Sequence, residues 1–373
     1  MKRSIVLLVL VIVLQGFVVT MAQNSKGLKD AFTKNFYFGV ALNRSQYMGS
    51  DVRVNDIVKK HFNSIVAENC MKAERLQPRE GEFFFDDADK FVEYGIKNKQ
   101  FIIGHTLIWH SQAPRWFFVD KDGAEVSREV LIERMRTHIH TVVGRYKGKV
   151  HGWDVVNETI LDNGDWRKSK YYQIIGEEFV ELAFRFAREA DPNAELYYND
   201  YNMAMPGKRN GVVNMIKNIQ SKGVKVDGIG MQGHIDMYSP KVSDFENSIV
   251  AYAELGAKVM ITELDLSALP TPWNNMGANI SDVVEYQEKM NPYRDGLPRD
   301  IEIEWENRFL DFFKLFVKHS DKITRVTLWG VSDANSWKNG FPIRGRTDYA
   351  LLFDRQYNEK PIVNRLVKEL KKK

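Results

Sequence analysis

Apolar runs of strand length, rich in β-branched and aromatic residues, recur eight times along the chain. They are Phe36–Asn43, Phe62–Asn69, Phe101–His110, Val150–Glu158, Leu196–Asn202, Gly228–Ile235, Val259–Leu266 and Thr324–Asp333. Short continuous runs of this kind suit strands buried on both faces, as parallel strands are. Segments of helical period lie between them. Leu131, Met135, Ile139, Val142 and Tyr146 step by three or four and make one apolar stripe, and Val212, Met215, Ile216 and Ile219 make another. Ser243 with Glu246 has the spacing of a capping box ahead of Phe245, Ile249 and Tyr252. This alternation of strand and helix predicts an α/β chain folded as a parallel (β/α)8 (TIM) barrel. A doubly wound open sheet is the competing fold, but no G-x-G-x-x-G follows any strand.

The polar residues at the ends of these runs add the chemistry. The second run ends in Glu68 and Asn69, with Lys72 just beyond; the third carries His105, Trp109 and His110; the fourth ends in Asn157 and Glu158. The fifth gives Asn199, Asp200 and Tyr201, the sixth Gln232 and His234, the seventh Glu263 and Asp265, and the eighth Trp329 and Asp333, followed by Trp337. Barrels of this class keep their active sites at the C-terminal ends of the strands. Seven consecutive strands ending this way would ring one mouth with charge and aromatic surface. Strand parity pairs Glu263 with Asp265, Gln232 with His234, and His105 with Trp109. It separates His105 from His110, which argues against a two-histidine metal site, and neither H-E-x-x-H nor a cysteine pair occurs. His138 and His140 fall two apart on a helix and read as packing or surface residues.

Carboxylates on separate strand mouths, amid amides and tryptophans, point to glycoside hydrolysis. One carboxyl must stay protonated to donate to the leaving oxygen, and the other must be ionised. Sugar rings have apolar faces that tryptophans can cover, and their hydroxyls need polar partners. Some positions stay open between function and support: Tyr201 as a sugar contact or a strand-end residue, and Asn199 and Asp200 as supports for the strand ends.

Composition narrows the class without changing it. The chain has 373 residues, 44% hydrophobic and 27% charged, with a net charge of +4. The C-terminal lysines Lys368, Lys371, Lys372 and Lys373 read as a solvated helix end, and no basic stripe or motif indicates a nucleic-acid partner. Cys70 is the one cysteine, so an intramolecular disulfide is impossible, and it reads as a buried small residue rather than a nucleophile. Lys2 and Arg3 precede an apolar stretch ending in small residues at Thr20 and Ala22. Residues 1–22 are therefore expected to be a secretory signal peptide and residues 23–373 one catalytic barrel. That places the product outside the cytoplasm, secreted or periplasmic, with no membrane contact after cleavage; an uncleaved anchor is the other reading. The longest connection, Ser267 to about Arg299 with Pro270, Pro272, Pro292 and Pro298, is expected to carry function or cover a site.

In order, the motifs "VAENCMK", "GHTLIWHSQAPRW", "WDVVNE", "YYNDYN", "MQGH", "ITELD" and "LWGVSDANSW" resemble glycoside hydrolase family 10, the retaining endo-β-1,4-xylanases, from about Phe36 to Leu366. The resemblance implies that Glu158 is the general acid/base and Glu263 the nucleophile. It implies that Asn157 bonds the substrate 2-hydroxyl, and that His234 orients Glu263 while Asp265 holds His234. Glu68, Asn69, Lys72, His105, Trp109 and Gln232 match sugar-binding positions on the non-reducing side of the cleavage point, and Trp329 and Trp337 match the aromatics around the reacting sugar. The implied partners are xylan and xylo-oligosaccharides, with no cofactor and no metal. The "NET" sequon at Asn157 is read as a false positive, because a glycan there would fill the cleft. Two alternatives remain: a retaining β-glucanase or other barrel glycosidase, and a non-catalytic sugar-binding barrel.

Overall fold

The computed structural model describes residues 26–271 and 288–370. Among them, nine strands follow in chain order: β1 Tyr37–Leu42, β2 Ser64–Ala67, β3 Phe101–Trp109, β4 Gly152–Asn157, β5 Glu195–Asp200, β6 Gly228–Met231, β7 His234–Asp236, β8 Lys258–Ser267 and β9 Ile323–Leu328. Each of β1 to β5 pairs in parallel with the next, β6 pairs with β8, β8 with β9, and β9 returns to β1. Eight parallel strands thus close into a barrel with helices between them, the (β/α)8 architecture expected from the alternating pattern. The short β7 lies outside that ring, paired only along the end of β8.

Strand alternation sorts the core into two layers. Ala41, Val66, Ile103, Tyr197 and Met260 pack together with Trp329 inside the barrel. Their chain neighbours Val40, Ile65, Ile102, Tyr198 and Ile261 join the larger cluster between sheet and helices. The interior is filled by side chains, as in barrels of this size. The helical stripes behave as their periods require: Leu131, Met135, Ile139 and Val142 are buried in the helix Arg128–Arg145. Val212, Met215, Ile216 and Ile219 are buried in Pro206–Ser221.

Two local expectations need correction. The sixth apolar run is not one strand. Gly233 takes φ +81° and divides it into β6 and β7, so parity cannot be carried across it. Ser243 does not cap a helix. The helix Val242–Ala253 begins one residue earlier, with Lys241 at the N-cap and no side-chain cap bond. Ser243 therefore sits in the first turn, where its hydroxyl cannot reach the N2 or N3 amide as an N-cap does.

The middle of the long connection after β8, residues 272–287, lies outside the described residues, as do the leader and Lys371, Lys372 and Lys373. Its described ends dock on the segment that follows β9. The Ser267 hydroxyl donates to Asp348 Oδ2 at 2.5 Å, Arg346 Nη1 donates to the Pro270 carbonyl at 3.1 Å, and the Thr347 amide donates to Asn291 Oδ1 at 3.0 Å.

Candidate active site

The C-terminal ends of the strands surround a cleft with a cavity volume of about 360 Å³. Every residue expected to react or to bind sugar lines it: Glu68, Asn69, Lys72, His105, Trp109, Asn157, Glu158, Gln232, His234, Glu263, Trp329 and Trp337. Asp265 lies one layer behind, fully buried.

Glu158 is the residue just beyond β4. Its side chain accepts from the Trp109 indole at 2.8 Å and from Gln232 Nε2 at 2.9 Å, one donor on each oxygen. Burial pushes its carboxyl up to about 6, helped by the negative charge of Asp200 and partly offset by these two donors. Glu263, in β8, is equally buried, and burial alone would raise it too. A hydrogen bond from His234 and other positive neighbours outweigh that effect and hold it below the ordinary glutamate value. Asn199 Nδ2 donates to Glu263 Oε1 at 2.8 Å and His234 Nε2 stands 3.3 Å from Glu263 Oε2. Two glutamates in one cleft are thus driven in opposite directions, the arrangement that separates an acid from a base or nucleophile.

His234 is fixed from behind. Its Nδ1 stands 2.9 Å from Asp265 Oδ2, and that same oxygen accepts from the Trp337 indole at 2.8 Å. Burial works against a charged imidazole here, but Asp265 and Glu263 outweigh it and raise His234 to about 9. His234 is therefore an imidazolium at neutral pH, flanked by two carboxylates.

Asn157 and Asn199 join the two glutamates into one network. Asn157 Oδ1 accepts from Asn199 Nδ2 at 3.0 Å and lies 3.4 Å from Gln232 Nε2, whose main partner is Glu158. Asn199 Oδ1 in turn accepts from the Thr262 hydroxyl at 2.6 Å. Gly230 makes room for this side chain, since a Cβ there would lie 2.4 Å from Asn199 Oδ1. Asn157 is 3% exposed, which agrees with reading its sequon as a false positive.

The floor on the other side is polar. Lys72 Nζ donates to Asn69 Oδ1 at 3.0 Å and to Gln112 Oε1 at 2.9 Å, and it stands 5.0 Å over the Trp109 ring. Asn69 Nδ2 donates to Glu68 Oε1 at 3.2 Å. His105 Nδ1 stands 2.8 Å from Asp154 Oδ2, which turns the imidazole edge-on to Trp329, with ring centres 5.3 Å apart. Trp337 stacks on Phe341 at 5.3 Å and crosses His234 at 4.8 Å.

The site also includes residues beyond the expected set. Asn199, expected to support the strand end, bonds Glu263 directly from behind the cleft wall. It is two residues beyond Tyr197, which faces the barrel interior, so strand parity held the signal. Gln112, Asn202, Phe341 and Pro342 lie in loops and Lys338 in the single 3-10 turn Trp337–Asn339, where no period says which way a side chain points. Tyr201, left open, also lines the cleft. His138 is buried on Gln77 and His140 pairs with Glu189 on the surface, both away from the cleft. Cys70 is half-buried against the core, and burial pushes its thiol up to about 12, too high for a nucleophile at neutral pH.

Known proteins of similar sequence and structure show the family. Residues 27–369 match the sequence model of Glycosyl hydrolase family 10. Endo-1,4-beta-xylanase A of Xylanibacter ruminicola is 49% identical over 351 residues, covering 94% of this chain and 95% of that one. An endo-1,4-beta-xylanase of Geobacillus stearothermophilus is 40% identical over 356 residues, covering 93% of this chain and 99% of that one. Among solved structures, a GH10 endoxylanase retrieved from a sugarcane soil metagenome superimposes with a TM-score of 0.89 at 45% identity, covering 92% of this chain and 100% of that one. A mutant structure in complex with xylotriose superimposes with a TM-score of 0.83 at 34% identity, covering 92% of this chain and 99% of that one. With the family model spanning nearly the whole chain and relatives this similar along their full length, the chain belongs to glycosyl hydrolase family 10.

Proposed function

We propose that the chain is a retaining endo-β-1,4-xylanase in which Glu263 is the nucleophile and Glu158 the acid/base. The observation that carries the reading is the opposed pair in one cleft, Glu158 raised to about 6 and Glu263 lowered. In the first step a Glu263 oxygen bonds to the anomeric carbon, the glycosidic C–O bond breaks, and the Glu158 proton goes to the departing oxygen. In the second, water attacks the anomeric carbon, Glu158 takes its proton, and the bond to Glu263 breaks. The Asn199 and His234 contacts aim the nucleophile, and the His234 charge keeps it ionised. Asn157, fixed by Asn199, is placed to meet the hydroxyl next to the anomeric carbon. Glu68, Asn69, Lys72, His105, Trp109 and Gln232 bind sugars on the non-reducing side, and Trp329 and Trp337 enclose the reacting ring.

Xylan is the substrate we favour, on the names of the relatives. We also read residues 1–22 as a cleaved leader and residues 23–373 as the mature barrel; N-terminal sequencing of the exported protein tests this. Among the described residues no helix is long and apolar enough to cross a membrane. The functional test compares reducing-sugar release from xylan and carboxymethyl-cellulose and follows early xylan products by proton NMR. The β anomer should appear first and xylan should be the better substrate. Early α product, or a faster rate on the cellulose derivative, overturns the reading.

A further inference from the structure

Behind Glu158 lies a buried charged cluster that the two chemical steps above do not use. Its centre is Asp200, the last residue of β5, fully buried. Asp200 Oδ1 accepts from Lys208 Nζ at 2.9 Å, and Oδ2 accepts from the Tyr198 hydroxyl at 2.5 Å. Lys208 is also fully buried, 3.2 Å from Asp162 Oδ1 and 3.5 Å over the Tyr201 ring. A buried ion pair is a weak source of stability, because desolvation offsets the attraction. What this one touches suggests a use beyond stability.

Glu158 has φ +60°, a left-handed conformation that crowds any residue with a Cβ. The main chain around it is held at every polar group from the Glu158 amide to the Ile160 amide. The Glu158 amide donates to the Asn199 carbonyl at 2.9 Å, and the Glu158 carbonyl accepts from Arg167 Nε at 2.8 Å. The Thr159 amide donates to the Tyr198 hydroxyl at 3.0 Å, and the Thr159 carbonyl accepts from the Arg167 amide at 2.8 Å. The Ile160 amide lies 3.3 Å from both the Tyr198 hydroxyl and Asp200 Oδ2. Arg167 Nη2 is itself tied to the Tyr201 hydroxyl at 2.8 Å. Asp200, Tyr198 and Lys208 therefore form the far side of a clamp whose near side is Arg167.

We propose that Asp200, secured by Lys208 and acting through the Tyr198 hydroxyl, is a positioning residue for proton delivery: it holds the chain after Glu158 in the left-handed turn that aims the carboxyl into the cleft, and it sets a fixed negative charge behind that carboxyl. The inference rests on Glu158 being the acid/base. The other charged or titratable groups that face Glu158 are Glu263 across the cleft, Lys72, His110 with Nδ1 at 4.0 Å, and Arg167 on its carbonyl. After burial, Asp200 is the largest influence raising the Glu158 carboxyl.

The test uses the full-length protein with Asp200→Asn, Asp200→Asn/Lys208→Met, Tyr198→Phe and Glu158→Ala. It compares xylan with an activated aryl xyloside, whose leaving group needs no proton. Removing the Asp200 charge should lower the alkaline limb of the kcat/KM profile by about half a pH unit or more. The double variant should shift it in the same direction by less. In both, the loss on xylan should exceed the loss on the aryl substrate by about tenfold. Tyr198→Phe keeps both charges and should show the selective loss on xylan with a smaller movement of the limb; it decides the matter should the Asp200 variants fail to fold. Equal losses on both substrates with the limb unmoved would overturn the clamp and leave the cluster purely structural. If Glu158→Ala itself kept its xylan activity, the acid/base reading would fall, and the clamp with it. If Glu158→Ala loses that activity while the Asp200 variants behave as wild type, the clamp alone fails.

Discussion

Asn199 Nδ2 donates to Glu263 Oε1 at 2.8 Å and, with its second hydrogen, to Asn157 Oδ1 at 3.0 Å. One amide thus fixes the proposed nucleophile against the residue beside the proposed acid. Asn199→Ala removes both bonds and leaves the Thr262 hydroxyl without its acceptor. A reactive oxygen displaced by about 1 Å costs on the order of 10²-fold in rate. The expected outcome is a kcat lower by about that factor on xylan, with KM changed little and an unaltered circular dichroism spectrum. Steady-state kinetics check this, and a kcat within a few-fold of wild type would mean that His234 alone holds Glu263.

A bell-shaped pH profile follows from the two opposed carboxyls. Glu263 must be ionised to attack and is held below its ordinary value, so the acid limb of kcat/KM should fall below the usual glutamate range. Glu158 must be protonated to donate and is raised to about 6, so activity should decline as pH rises through that value. The profile of kcat/KM on a xylo-oligosaccharide measures both limbs.

Asp265→Asn should move the acid limb and spare the alkaline one. Asp265 supports the charge on His234, and His234 lowers Glu263. With the aspartate neutralised, the imidazole loses its proton more readily and Glu263 loses a cationic neighbour. Its carboxyl then rises, and the acid limb should shift upward by about one pH unit. A profile unchanged in shape would place Asp265 outside this relay.

Much of this arrangement was legible before any coordinates. Parallel strands buried on both faces are mostly apolar, so Asn69, Glu158 and Glu263, in or just beyond the C-terminal halves of such runs, stand out as mouth residues in the bare sequence. Where the backbone departs from strand or helix geometry, the reading loses its footing. Gly233, at φ +81°, broke a run that looked continuous, and Glu158 itself sits at φ +60°, so parity along β4 does not aim its side chain. Ser243 had the right spacing for a cap but sits inside the helix, because spacing does not fix where the first turn begins. Asn199 and Asp200 looked alike as polar ends of one strand. Both are buried, but Asn199 bonds Glu263 and Asp200 bonds Lys208 and Tyr198.

Removing the acid should separate two substrates. Glu158→Ala is expected to lower kcat on xylan by about 10³-fold, since the leaving alcohol needs a proton. It should still form the glycosyl-enzyme with a dinitrophenyl xyloside, and added azide should speed its breakdown, giving a β-glycosyl azide. Glu263→Ala should lose activity on both substrates and, with no glycosyl-enzyme to intercept, yield no β-glycosyl azide. Thin-layer chromatography of the azide products distinguishes the two variants.

The central claim is that Glu263 becomes covalently bound to the sugar. A dinitrophenyl 2-fluoro-xylobioside should inactivate the enzyme, because the fluorine slows the second step more than the departure of dinitrophenolate in the first. Peptide mapping of the inactivated protein by mass spectrometry should place the xylobiosyl group on the side chain of Glu263. A label on any other residue, or turnover of this reagent with no covalent adduct, would contradict the assignment.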